Sequence, residues 1–153
     1  NMRCPWTIIP NSILDKDLIV PDSPTVLLVD DEKEYLELLV KRLTRRGLTV
    51  HTAYSGKEAI EMVAAIAPDV VVMDVKMPGM SGLETLVLLK EQDQLLEVIM
   101  LTGHASLEDC EQGMDLCAFD YLMKPVVFDE LLLKIEDAYT KRMLAQKNSH
   151  STS

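Results

Sequence analysis

The sequence predicts a doubly wound α/β fold, and three observations predict it. Short apolar runs alternate along the chain with segments of helical period. Three of the runs are nearly unbroken, as in parallel strands covered on both faces rather than half-wet antiparallel ones. The alternation occurs five times, too few to close a barrel of eight units, so an open parallel sheet with right-handed crossovers is the remaining solution.

The elements follow in order. The runs are Val26 to Val29, Leu48 to Tyr54, Val70 to Met73, Val98 to Leu101 and Tyr121 to Met123. Between the first two, Tyr35, Leu36, Leu39, Val40 and Leu43 form a helical stripe that stops at Gly47, a residue suited to a left-handed C-terminal cap. Ser55 to Glu58, Ser81 to Glu84 and Ser106 to Asp109 each match the start of a helix, where side chains satisfy free backbone amides. Leu131, Leu132, Ile135, Ala138 and Tyr139 mark a last helix, expected to fade into the polar tail. The organisation expected is an arm over residues 1–24, a domain over 25–143 and a polar tail over 144–153. The arm holds four of the seven prolines and also Trp6, Ile8, Ile9, Ile13, Leu14, Leu18 and Ile19, so it is expected to dock on its own domain or a second copy. Asn1 ahead of Met2 reads as the scar of a removed tag.

Composition narrows the function. In 153 residues, 25 acidic side chains against 15 basic ones give a net charge of -10, which opposes direct binding of nucleic acid. No apolar run spans a bilayer and no signal-peptide pattern opens the chain, so a cytoplasmic location is expected. Cys4, Cys110 and Cys117 form an odd set without CxxC spacing, and the three histidines lie apart. Free thiols, and neither a disulfide framework nor a zinc site, are expected.

In an open α/β sheet, ligands bind at the carboxyl ends of the strands, where strand order reverses. Strand one ends in Asp30-Asp31-Glu32, strand three in Asp74, strand four in Thr102-Gly103 and strand five in Lys124-Pro125. Each fragment has an ordinary reading by itself: Asp30 or Asp31 as a helix N-cap, Asp74 and Met77-Pro78-Gly79 as turn residues, Lys124-Pro125 as a helix-initiating turn. All four occupy the same end of successive strands. If strands one and three are neighbours, Asp30, Asp31 and Asp74 converge, and their mutual repulsion calls for a cation. Oxygen ligands without His or Cys select a hard ion, and Mg²⁺, which takes few carboxylates, suits them better than Ca²⁺, for which no EF-hand loop is present. A Lys and a Thr hydroxyl facing the same place complete what phosphoryl oxygens need.

From about Thr25 to Met143 the chain resembles the receiver domain of two-component response regulators. The residues carrying the resemblance are Asp30-Asp31, the pattern D-x-x-M-P-x-M-x-G from Asp74 to Gly82, Thr102, and Lys124-Pro125. The resemblance implies a flavodoxin-like (βα)5 fold with strand order 2-1-3-4-5. Asp74 would accept a phosphoryl group from a histidine kinase or phosphotransfer protein, so the chain would be a signalling phosphoacceptor rather than a turnover enzyme. Asp31 would hold Mg²⁺ directly, Asp30 directly or through water, with the backbone carbonyl of Lys76 and Asp74 itself as further ligands. Lys124 and Thr102 would take phosphoryl oxygens, and Tyr121 would be the switching aromatic that follows Thr102. The Lys124-Pro125 bond would be cis, and helix four, strand five and helix five would form the output surface.

The positions flanking the path of hydrolytic water correspond to Lys76 and His104; both are long and cationic or potentially so, and slow loss of the phosphoryl group is expected. Two departures stand out. Val126 and Val127 replace an aromatic and a capping Asp, leaving helix five without its usual cap. Helix four, Leu107 to Asp115, holds no Lys or Arg, so the cross-dimer salt bridges of the winged-helix subfamily are not expected. An aspartyl phosphatase would need an acid where Lys76 stands, and a flavin module would need hydroxyls and glycines where Asp30-Asp31-Glu32 stands. A pseudo-receiver would lack a residue that is present here. The chain carries no effector after helix five and is expected to be a stand-alone regulator or a piece of a longer one.

Overall fold

Five parallel strands carry the structure, a computed structural model that describes residues 23–103 and 107–151, with backbone only for Leu107 and 149–151. The order along the chain is β1 (Thr25–Val29), α1 (Lys33–Arg45), β2 (Thr49–Ala53), α2 (Gly56–Ile66), β3 (Val70–Asp74), α3 (Gly82–Gln92), β4 (Glu97–Thr102), α4 (Leu107–Asp115), β5 (Asp120–Met123) and α5 (Phe128–Ser151). The sheet order is β2-β1-β3-β4-β5, so β1 and β3 are neighbours and the strand order reverses between them. Residues 1–22 of the arm expected over 1–24, and with them the question of where it docks, lie outside the described residues.

Strand periodicity sorts the core into two layers. Val26, Leu28, Val70, Val72, Ile99, Leu101 and Leu122 face α1 and α5, packing against Leu36, Leu39, Leu43, Leu131 and Ile135. Leu27, Val29, Val71, Met73, Val98 and Met100 face the opposite way, against Ala59, Val63, Leu86 and Leu89 of α2 and α3. Every residue of β3 and β4 is buried, which is why these runs carry no alternation. The edge strands β2 and β5 are the half-exposed ones.

Helix ends follow the local chemistry. Gly47, with φ of 89°, ends α1: its N–H reaches the Thr44 carbonyl and the Leu48 N–H the Leu43 carbonyl, while Leu43 and Leu48 share the core. At α3, Ser81 and Glu84 form the complete reciprocal capping box. At α2 the Ser55 hydroxyl caps Glu58, but the Glu58 carboxylate turns to the Tyr54 N–H, so only half of the expected box forms. The third expected box, at Ser106, lies outside the described residues.

Two expectations are corrected. The last helix does not fade at Asn148; it runs to Ser151, because Leu144, Ala145, Gln146 and Lys147 are strong helix formers and Leu144 and Ala145 are buried. The three cysteines are not all free thiols: Cys110 is free and buried, whereas Cys117, in the left-handed region with φ of 66°, is disulfide-bonded.

Candidate functional site

The four strand ends meet at the point where strand order reverses. Asp30 directly follows β1 and is fully buried; its N–H bonds the Ala53 carbonyl, which pins it to the end of β2. Its carboxylate accepts from the Glu32 N–H at 2.9 Å. The N-cap of α1 is Glu32, with no side-chain cap, so neither Asp30 nor Asp31 serves as the cap that an ordinary reading would give it. Asp31 is exposed.

Asp74, the last residue of β3, is 7% exposed. The ladder continues past it, the Val75 N–H bonding the Leu101 carbonyl, so its side chain leaves the sheet at a fixed place. Gly82 explains the glycine of the motif. A Cβ there would collide with the Asp74 carbonyl oxygen, and the Gly82 N–H bonds the Val75 carbonyl at 2.7 Å, so α3 starts directly against the loop that follows β3.

Lys124 comes over the carboxylates from β5. Its Nζ lies 2.5 Å from Asp30 Oδ2, 3.3 Å from Glu32 Oε1 and 3.6 Å from Asp74 Oδ2, and 4.8 Å from the centre of the Tyr35 ring. Burial by itself would lower the lysine pKa; the hydrogen bond to Asp30 and the charges of Asp74 and Asp30 outweigh it and raise it, so the ammonium stays charged. The Lys124 N–H bonds the Thr102 carbonyl, joining the ends of β4 and β5, and the Lys124-Pro125 bond is cis, as the resemblance implied. Thr102 is 3% exposed.

Asp30, Asp31 and Asp74 each place a carboxylate oxygen within 4.8 Å of the others. Burial, with the charges of Asp30 and Asp31, pushes Asp74 up to about 6 despite Lys124 and a backbone hydrogen bond from Lys76. Three carboxylates with hard oxygen donors, one of them electrostatically frustrated, fit a small divalent cation.

Lys76 is exposed beside Asp74, and Tyr121 is half-buried on β5, three residues before Lys124. A small cavity lined by Val75, Met100, Thr102, Cys110, Gly113 and Tyr121 connects the two expected switch residues. His104 lies outside the described residues. Sequence reasoning did not assign Glu32 or the Tyr35 ring to Lys124, nor Cys110 to the cavity beside Tyr121. Glu32 was legible as the third acid of the β1 end, while Tyr35 was hidden within the apolar stripe of α1.

An open 2-1-3-4-5 sheet whose switch point gathers three carboxylates and an ammonium places this chain in the class of doubly wound α/β proteins with an acidic ligand end. The model of the response regulator receiver domain matches residues 26–136, and the chain belongs to that family. It is 39% identical over 113 residues to the response regulator MprA of Mycobacterium ulcerans, covering 74% of this chain and 49% of the relative. It is 33% identical over 125 residues to the regulatory protein AtoC of Escherichia coli, covering 82% of this chain and 27% of the relative. The chain thus spans about a quarter to a half of these relatives. A response regulator receiver domain from Clostridium thermocellum superimposes with a TM-score of 0.77 at 34% identity, over 80% of this chain and 98% of that one. Among the described residues no helix is long and apolar enough to cross a membrane.

Proposed function

We propose that this receiver domain accepts a phosphoryl group on Asp74 from the phosphohistidine of a sensor kinase or phosphotransfer protein. The observation carrying the reading is the convergence of Asp30, Asp31 and Asp74 under one ammonium, with Asp30 and Asp74 2.5 and 3.6 Å from Lys124 Nζ. A carboxylate oxygen of Asp74 attacks phosphorus, the phosphorus–nitrogen bond breaks, and the electron pair leaves with the imidazole. The nucleophile is already ionised above about pH 6, so no general base is required.

Asp30, Asp31, Asp74 and the Lys76 carbonyl are the groups that would hold Mg²⁺, which when bound supplies positive charge against the oxygens of the transferring group. Lys124 supplies a second positive charge from a fixed stem, and the Thr102 hydroxyl a hydrogen bond; both act by placement, which is what a loose phosphoryl transition state needs. The product adds about 1.5 to 2 negative charges at the end of β3. Thr102 turns toward that charge, Tyr121 follows, and the surface of α4, β5 and α5 changes for an effector domain or separate partner. The chain acts on no external substrate beyond its own phosphorylation and dephosphorylation. The resemblance assigns Lys76 and His104 to the positions beside the path of hydrolytic water, and neither is a carboxylate or amide that would orient it, so the phosphorylated state is long-lived and these side chains shield it.

The test is incubation with Mg²⁺ and acetyl phosphate, read by intact mass. Wild type gains one phosphoryl group; Asp74→Asn gains none, and chelating the metal abolishes the gain. Transfer to Asp74→Asn at the wild-type rate overturns the assignment. Lys76→Ala and His104→Ala should each shorten the half-life of the phosphoprotein, and equal half-lives reject the shielding.

A further inference from the structure

One neighbour of the Lys124 ammonium is not a carboxylate. Nζ lies over the Tyr35 ring, 4.8 Å from its centre and within the roughly 6 Å reach of a cation–π contact. Tyr35 stands in the first turn of α1, and its ring packs against the core layer shared by α1 and α5, so apolar contacts seat it. Its hydroxyl is buried without a hydrogen-bond partner among the described residues, so the ring and not the polar atom is what its surroundings use. The Lys124 side chain is only 15% exposed, and the attraction acts where little water screens it.

The carboxylates alone do not hold this ammonium toward Asp74. Asp74 is the farthest of the three, at 3.6 Å, and Glu32, at 3.3 Å, is largely exposed and draws the ammonium toward solvent. A lysine stem is flexible, and a point charge on it settles wherever the local field is deepest. We infer that Tyr35 is a positioning residue for Lys124: its ring face keeps the ammonium beside Asp30 and Asp74, where an oxygen of the transferring group would meet it. The kinetic side of this inference rests on the reading that Asp74 accepts a phosphoryl group; the coupling between ring and ammonium does not. A contact of this kind corresponds to about fivefold in an equilibrium or a rate.

The experiment uses the full chain as wild type, Tyr35→Phe, Tyr35→Leu, Lys124→Met and the Tyr35→Leu/Lys124→Met double variant. With Mg²⁺ and acetyl phosphate, followed by intact mass, Tyr35→Leu should gain its phosphoryl group roughly fivefold more slowly than wild type. Tyr35→Phe, which keeps the ring and removes only the unpartnered hydroxyl, should stay within about twofold. Urea denaturation without metal or donor supplies the second readout: Tyr35→Leu should cost roughly fivefold more in the folding equilibrium when residue 124 is Lys than when it is Met. A third needs no change at Lys124: the protons on its Cε, shifted upfield by the ring in wild type and Tyr35→Phe, should lose that shift in Tyr35→Leu. Equal costs in the two backgrounds overturn the inference, since the ring would then contribute packing alone. Equal slowing by Phe and Leu, an unchanged rate in Tyr35→Leu, or identical Lys124 shifts in all three forms of residue 35 overturn it as well. Wild type that shows the coupling and the shift but gains no phosphoryl group would instead overturn the phosphoacceptor reading, and with it the kinetic side of the inference.

Discussion

Asp74 is held in a place that suits its chemistry and costs the fold. Its pKa rises from 3.8 to about 6 because burial and the charges of Asp30 and Asp31 outweigh the help of Lys124. A carboxyl raised on folding is easier to protonate in the native state, so its contribution is favourable at low pH and is lost as pH rises through the folded value. In metal-free solution, stability attributable to Asp74 should therefore fall between about pH 4 and pH 6 and stay flat above. Asp74→Asn should stabilise the metal-free protein at pH 7 by about 1 kcal/mol after solvent screening, and the gain should vanish near pH 4; urea denaturation at the two pH values measures it. Lys124 keeps Asp30 and Glu32 in that variant, so no buried ammonium is orphaned. The same residues show how far the site could be read. Asp30, Asp74, Thr102 and Lys124 were legible because a strand end is a position that periodicity marks. The partners that tune them were not. Cys110 on α4 lines the same cavity as Tyr121, and sequence spacing says nothing about which elements share a cavity.

At the scale of elements, legibility tracked the strength of local signals. The apolar runs of β1, β3 and β4 are unbroken because both faces are covered, and they gave strands within a residue of those observed. Strand order had no such signal and came with the resemblance, since nothing in an apolar run says which neighbour it pairs with. Helix ends were legible where a capping side chain exists and obscure where none does. Val127 accepts the Leu131 N–H at 3.1 Å and so stands at the N-cap of α5 with a side chain that accepts nothing, while 64% exposed. Val127→Asp should raise stability by about 1 kcal/mol, read as a shift in the thermal midpoint. Ala67 closes α2 at φ of 46°, where a Cβ is strained. Ala67→Gly should stabilise by about 0.5 to 1 kcal/mol, the relief of left-handed strain exceeding the added entropy of the unfolded chain. A loss on either substitution, measured by urea denaturation, would contradict the corresponding cap assignment.

The whole molecule separates two charged centres to opposite ends of one sheet. The carboxyl ends hold the acidic site; the amino ends hold a network that ties α5 to the rest. Lys141 Nζ lies 3.4 Å from Glu97, the buried first residue of β4, and the Arg142 guanidinium lies 3.0 Å from Asp93 and 3.5 Å from Asp69. Lys90 closes the end of α3 by donating to the Gln94 and Leu96 carbonyls. Burial raises the Glu97 pKa, and Lys141 and Lys90 pull it back, so Glu97 depends on cations that α5 brings. Lys141 and Arg142 both lie beyond residue 136, where the family match ends, and Leu144 and Ala145 are buried further on. The stable unit therefore extends past the family boundary. Truncation after Thr140 should leave Glu97 with Lys90 alone, leave Asp69 and Asp93 without their guanidinium, and remove the burial of Leu144 and Ala145. Losing the cation beside a buried carboxylate and two apolar side chains together should cost about 3 kcal/mol or more. Urea denaturation of the full chain and the truncated one would show a lower midpoint for the shorter protein. Equal midpoints would mean that the fold is complete by Thr140 and that the network at the amino ends contributes nothing to it. The comparison should be made at pH 7, where Lys141 and Arg142 are charged, and repeated at 1 M salt. The penalty should shrink only modestly there, because screening over about 3 Å acts on exposed pairs and these partners are largely withdrawn from water.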